Sequence, residues 1–90
     1  MSLYKVKINK HCLKQFKRLD KQTAVRIQQW LFKNVHNSEN PRQHGKALVG
    51  ERRDQWRYRV GNYRIICRIE DEELIVLALK VAHRKEVYKK

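Results

Sequence analysis

The sequence predicts an α+β fold in the order β-α-α-β-β-β, with two helices packed on one face of a mainly antiparallel four-stranded sheet. Three observations carry that expectation. Apolar residues alternate with cations from Tyr4 to Ile8, and again from Trp56 to Ile69, which is the two-residue period of half-buried strands. Between those stretches apolar residues recur at three- and four-residue spacing, the period of helices. Turn residues separate the later strands.

Each element has its own signal. Tyr4, Val6 and Ile8 fall on one side of the first strand, Lys5 and Lys7 on the other. From Lys10 the period changes, and Cys12, Leu13, Phe16 and Leu19 mark a helix with Asn9 as its N-cap. Asp20 interrupts that helix and caps a second, whose stripe is Ala24, Ile27, Leu31 and Val35, running to about Asn37. The pair reads as an αα-hairpin with a very short connection. Residues 37–50 hold the sole proline and two of the three glycines, so they read as a long loop with little regular structure. A loop of that length in a small domain is more often functional than idle.

The second half is three strands. Trp56, Tyr58 and Val60 alternate with Arg57 and Arg59, and Gly61-Asn62 forms a tight turn. Tyr63, Ile65, Cys67 and Ile69 then alternate with Arg64, Ile66 and Arg68. Asp71-Glu72 turns the chain into Leu74 to Val81, nearly all apolar, as a central strand covered on both sides should be. The helical stripes need a surface to bury against, so the helices cover one face of the sheet and leave the other carrying arginines.

Ninety residues make one domain, 1–90. Against 9 acidic residues stand 22 lysines and arginines, a net charge of +13. Such a field attracts polyanions and speeds association with them. Neither a secretory leader nor a long apolar run is visible, so a cytoplasmic protein without membrane contact is expected. Cys12 and Cys67 lack metal-type spacing and read as buried, reduced thiols. Trp30 and Trp56 read as core or rim packing.

Arg57 and Arg59, two apart on a strand, point together about 6.5–7 Å apart. Arg64, just past the turn, sits beside them. Clustered guanidiniums repel one another unless an anion lies between, and phosphate accepts paired hydrogen bonds from guanidinium. The competing reading is of solvated charges paired with Glu51, Asp54 or Glu70, but the acids are too few to neutralise them all. His83 and Arg84 end the apolar strand. An imidazole suits proton transfer near neutrality, and a guanidinium can stabilise charge on a phosphorane-like transition state. Tyr88 follows as a base-stacking, hydrogen-bonding or anchoring residue. Arg42, His44, Lys46 and Arg68 are further RNA-contact candidates, whereas His11 and His36 read as surface residues. With no carboxylate cluster, metal-ligand spacing or P-loop in the sequence, no cofactor or metal is expected. The natural chemistry is attack of an RNA 2′-OH on the adjacent phosphate, leaving a 2′,3′-cyclic phosphate and a 5′-OH.

The motifs Asn40-Pro41-Arg42 through Gly45-Lys46, Leu48-x-Gly50, Trp56-Arg57-Tyr58-Arg59-Val60-Gly61-x-Tyr63-Arg64-Ile65 and His83-Arg84-x-x-Val87-Tyr88 resemble the RelE/ParE superfamily of toxin–antitoxin toxins. The likeness covers nearly the whole chain and is specific in its second half. It implies a RelE-like microbial ribonuclease fold and a ribosome-dependent endoribonuclease that cuts mRNA in the ribosomal A site. It implies that Arg57 and Arg59 take the two basic strand positions of the active site, Arg64 holds the scissile phosphate, Arg84 is the C-terminal catalytic arginine and Tyr88 stacks on substrate. The prototype RelE enzyme has lysines at both strand positions, and arginine makes a poor base. His83 is therefore the expected proton-transfer group. Implied partners are an acidic cognate antitoxin that folds on binding, the ribosome with its mRNA, and operator DNA only as a toxin–antitoxin complex. The alternatives are a ParE-like toxin acting on DNA gyrase and a non-catalytic RNA-binding module.

Overall fold

The structure, a computed structural model, describes residues 2–50 and 54–83. Its elements are β1 (Lys5–Ile8), α1 (Lys10–Arg18), α2 (Lys21–Asn34), a 3-10 turn at Pro41–Gln43, β2 (Lys46–Ala47), β3 (Gln55–Val60), β4 (Tyr63–Glu70) and β5 (Ile75–His83). The sheet has five strands in the order β1-β5-β4-β3-β2, with β1 parallel to β5 and the other pairs antiparallel. The expected four strands are present. The fifth is the two-residue β2, which lies in the stretch expected to be irregular and is too short to show a period.

Both helices start where their caps are. Asn9 Oδ1 accepts from the Cys12 N–H at 2.8 Å, and Asp20 Oδ2 accepts from the Thr23 N–H at 3.3 Å. Each bond satisfies a backbone donor that a first helical turn leaves without a partner. The core then assembles from one face of each element. Cys12 and Phe16 of α1, and Ala24, Ile27 and Leu31 of α2 with Val35 just beyond it, pack against Val6, Tyr58, Val60, Ile65, Cys67, Val76, Ala78 and Val81. Leu13, expected in the α1 stripe, is exposed. Cys12 and Cys67 are both buried, free thiols.

Two devices finish the sheet edges. β1 pairs with β5 only from Ile75 to Ala78, and past its end Gln15 of α1 takes over. The Gln15 amide donates to the Val81 carbonyl at 2.9 Å and accepts from the Val81 N–H at 2.7 Å. The outer edge of β1 is covered by the chain leaving α2. There Tyr4 bonds Ser38 and Asn37, and His36 Nδ1 accepts from the Val6 N–H at 3.0 Å. His36 is thus an edge cap of the sheet and not the surface residue the sequence suggests.

Candidate nucleic-acid interface

Residues directly opposite on antiparallel strands share a face. Arg59 pairs with Arg64, and Arg57 with Ile66. Tyr58 pairs with Ile65 on the helix side, so the arginines project from the far side. The expected grouping of Arg57, Arg59 and Arg64 is present. Arg68 shares the face but lies four residues along β4 from Arg64, about 13 Å away. Lys46, opposite Arg57, adds another cation. Arg59, Arg68 and Lys46 are exposed, Arg57 is half-buried, and Arg64 is only 3% exposed. Arg64 therefore presents its guanidinium from a position largely withdrawn from water.

A bulge decides what β5 contributes. Cys67 pairs with Ala78 and Ile66 with Lys80, leaving Leu79 as the extra residue between them. Such an insertion reverses the side-chain alternation beyond it. Lys80 is therefore placed on the arginine face, in one row with Ile66, Arg57 and Lys46, and Ala82 lies opposite Arg64. Lys80 is a functional candidate that the apolar run concealed.

The same bulge turns His83 to the helix side, opposite Tyr63. The two rings meet edge to face, 5.0 Å apart at 90°. His83 lines grooves at the α1 and α2 side of the sheet, beside Gln15, Arg18, Thr23 and Arg26. His83 thus lies on the helix side of the sheet, whereas register places Arg57, Arg59 and Arg64 on the other side. Arg84 and Tyr88, expected to complete the site, lie outside the described residues.

Arg42, an expected RNA contact, is engaged in an ion pair. Its guanidinium makes a two-pronged ion pair with Asp71, at 2.9 and 3.0 Å, and Tyr4 donates its hydroxyl to the same carboxylate at 2.6 Å. Arg42 also stands 6.0 Å from the Trp56 ring. It ties the loop to the β4–β5 turn, and a phosphate would have to displace Asp71. Hydrogen bonds from Arg42 and Tyr4 hold the Asp71 carboxyl below its ordinary range, and Asp71 in turn raises Tyr4 and Arg42.

His44 is held as a backbone anchor and as a ring. Its carbonyl accepts from Trp56 Nε1 at 2.7 Å, and its imidazole meets Trp30 edge-on at 5.6 Å. Tyr58 fixes the same loop by donating its hydroxyl to the Pro41 carbonyl at 2.6 Å. At Gly45 φ is +82°, and a Cβ would collide with the Arg57 carbonyl and lie 2.7 Å from Trp56 Nε1. Only glycine lets the chain come this close to β3. Among the described residues, no group of three or more His, Cys, Asp or Glu side chains is arranged to hold a metal ion, and no helix is long and apolar enough to cross a membrane.

The family model for the ParE toxin of type II toxin–antitoxin systems matches residues 6–88. This chain belongs to the ParE toxin family. Within the wider RelE/ParE superfamily, the ParE-family chain is 38% identical to Toxin RelG of Mycobacterium tuberculosis over 53 residues. That match takes in 59% of this chain and 61% of the relative, so it spans about three-fifths of that protein. In structure it resembles a chain of the toxin–antitoxin complex RelBE2 from M. tuberculosis, with a TM-score of 0.83 and 27% identity over 93% of this chain and 94% of that one. The isolated RelE toxin of E. coli shares the fold, with a TM-score of 0.71 and 24% identity over 94% of this chain and 90% of its own.

Proposed function

We propose that this ParE-family toxin is a ribosome-dependent endoribonuclease that cleaves mRNA in the A site and so arrests translation. The observation that supports this most is the direct opposition of Arg59 and Arg64 on a sheet face that also carries Arg57 and Lys80. Positive charges set this close favour an anion between them, and a phosphodiester fits guanidinium geometry. On this reading Arg59 and Arg64 hold the non-bridging oxygens of the scissile phosphate, and Arg57 grips its neighbour. The ribose 2′-oxygen attacks phosphorus and the bond to the 5′-oxygen breaks. The products are a 2′,3′-cyclic phosphate and a 5′-OH. The 2′-OH gives up one proton and the leaving oxygen gains one. Of the two titratable candidates, the geometry favours Lys80, which shares the arginine face, over His83 behind the sheet. DNA lacks the nucleophile and is left intact.

A cognate antitoxin is the proposed partner, because several similar solved structures are toxins bound to antitoxins. With 22 cations against 9 acids, this chain suits an acidic segment that folds as it binds. The second reading is a gyrase-directed toxin, favoured by the ParE description of the matching family. Primer extension on an mRNA under translation separates the two. Ribosome-dependent cuts that vanish in Arg64→Ala support the ribonuclease. Intact mRNA with inhibited gyrase moves the protein to the second reading.

A further inference from the structure

The two-residue β2 covers β3 only at Trp56 and Arg57. Beyond it, Tyr58 to Val60 have no strand neighbour on that side among the described residues, and the sheet edge opens toward α2. A groove of about 280 Å³ occupies this opening, lined by Trp30, His44, Gly45, Lys46, Arg57 and Arg59. Trp30 and Arg59 also line the adjoining groove of about 490 Å³, where Arg26 and Lys33 of α2 face the β3–β4 turn. Among the described residues, no acidic residue lines either groove. Arg26 reaches the turn itself: a Cβ on Gly61 would lie 3.7 Å from its guanidinium.

Arg57 and Arg59 therefore serve two surfaces. Register places them on the arginine face, and position places them on the wall of the edge groove. The groove holds the half-buried rings of Trp30 and His44 beside Lys46, Arg57 and Arg59, and Trp30 also borders the groove lined by Arg26 and Lys33. Flat aromatic surface between cations is the arrangement that binds single-stranded nucleic acid, with bases on the rings and phosphates on the charges. An acidic peptide would use the cations and leave the rings without a partner.

We propose that this edge groove is a nucleotide subsite for single-stranded RNA, taking one unstacked base against Trp30 and His44 while Lys46, Arg57 and Arg59 hold the flanking phosphates. The inference rests on the ribonuclease reading and extends it. The strand crosses the edge of β3, so the base in the groove is a near neighbour of the phosphate held by Arg64. Lys33 and Arg26 guide the chain beyond. This gives the toxin a place to read or grip one base without help from the ribosome.

The test is an NMR titration of the intact chain with 2′-O-methyl hexauridylate, which cannot be cleaved, and with the same oligomer carrying abasic sites. The Trp30 indole N–H and the His44 ring should shift with the first oligomer and much less with the second. His44→Ala should weaken binding of the first by about tenfold and leave the abasic affinity unchanged. Lys46→Gln, which leaves the rings in place, should weaken both oligomers alike. Shifts confined to Arg57, Arg59 and Arg64, with His44→Ala binding normally, would overturn the subsite and leave the ribonuclease reading intact. No shift anywhere would overturn the subsite, and primer extension on translated mRNA would then decide the ribonuclease reading by itself. A glutamate-rich peptide that moves the Trp30 signal when the RNA does not would assign the groove to a protein partner instead.

Discussion

Arg59 and Arg64 face one another directly across β3 and β4, two like charges on adjacent strands with Cβ atoms about 4.5–5.5 Å apart. Like charges directly opposite on paired strands repel, and an anion placed between them relieves that repulsion. Arg59→Gln should stabilise the isolated protein by about 0.2–1 kcal/mol at low salt, since Arg59 is exposed and bears little packing. The same variant should bind RNA more weakly, with the slope of log affinity against log salt smaller by about 0.7. Thermal melting and a salt series check both halves. A variant that loses stability while keeping its salt slope would show that the pair is structural.

The proton-transfer assignment separates on rate. Lys80→Ala should slow cleavage by about 10²–10⁴ if Lys80 moves a proton in the transition state. His83→Gln, on the other side of the sheet, should stay within an order of magnitude of the parent. Single-turnover cleavage on programmed ribosomes measures both. The reverse result would mean that the RNA strand reaches around the end of the β3–β4 hairpin to the helix side.

Gly45 and Gly50 form a matched pair. Both have positive φ, +82° and +74°, so alanine at either costs about 1–2 kcal/mol of backbone strain. At Gly50 nothing lies within 4 Å of the added carbon, whereas at Gly45 it meets β3. Gly45→Ala should therefore destabilise well beyond Gly50→Ala in urea unfolding, and should displace β2. Equal effects would remove the close approach as the reason for this glycine.

Acid should loosen the loop before it unfolds the core. Asp71 is held below the ordinary carboxylate range by Arg42 and Tyr4. A carboxyl depressed in the folded state adds stability above its unfolded value, about 3.9, and loses it as pH falls through the folded value. The pair is about half exposed, so screening keeps the effect under about 1 kcal/mol. Asp71→Asn should lower the melting temperature slightly at neutral pH and have no effect once the carboxyl is protonated. A gap between the two proteins that persists in acid would assign the contribution of Asp71 to something other than its charge.

Burial pushes the Cys12 thiol up to about 11 and Cys67 higher still. The thiolate is the reactive form. Neither cysteine should react quickly with an aromatic disulfide reagent at pH 8 until the protein is denatured, when both should. Fast labelling of either thiol in the native state would place it outside the core.

Much of this architecture is legible in the residues. Asn9 and Asp20 cap the helices the periodicity marks, and the arginine-bearing parity of β3 and β4 survives because Gly61-Asn62 leaves a two-residue turn that fixes register. Alternation is informative there because one side of each strand is apolar and the other charged. In β5 it carries no information. Leu74 to Leu79 are all apolar, so a bulge at Leu79 changes nothing in the pattern while it sends Lys80 to one face and His83 to the other. Long-range pairing hides in the same way: the ion pair that commits Arg42 joins residues 29 apart. Arg26 and Lys33 had a signal that can be read, since their seven-residue spacing places them on one side of α2.

The position of β5 orders the events of synthesis. It is the latest strand in the chain among those described, yet it lies between β1 and β4 and gives β1 its strand partner. While residues 75–83 are still inside the ribosome exit tunnel, β1 has nothing to pair with, Gln15 has no backbone to grip, and Lys80 is not yet on the arginine face. Contacts this distant in sequence form late. The cationic face is therefore completed only once β5 has left the tunnel and paired with β1 and β4.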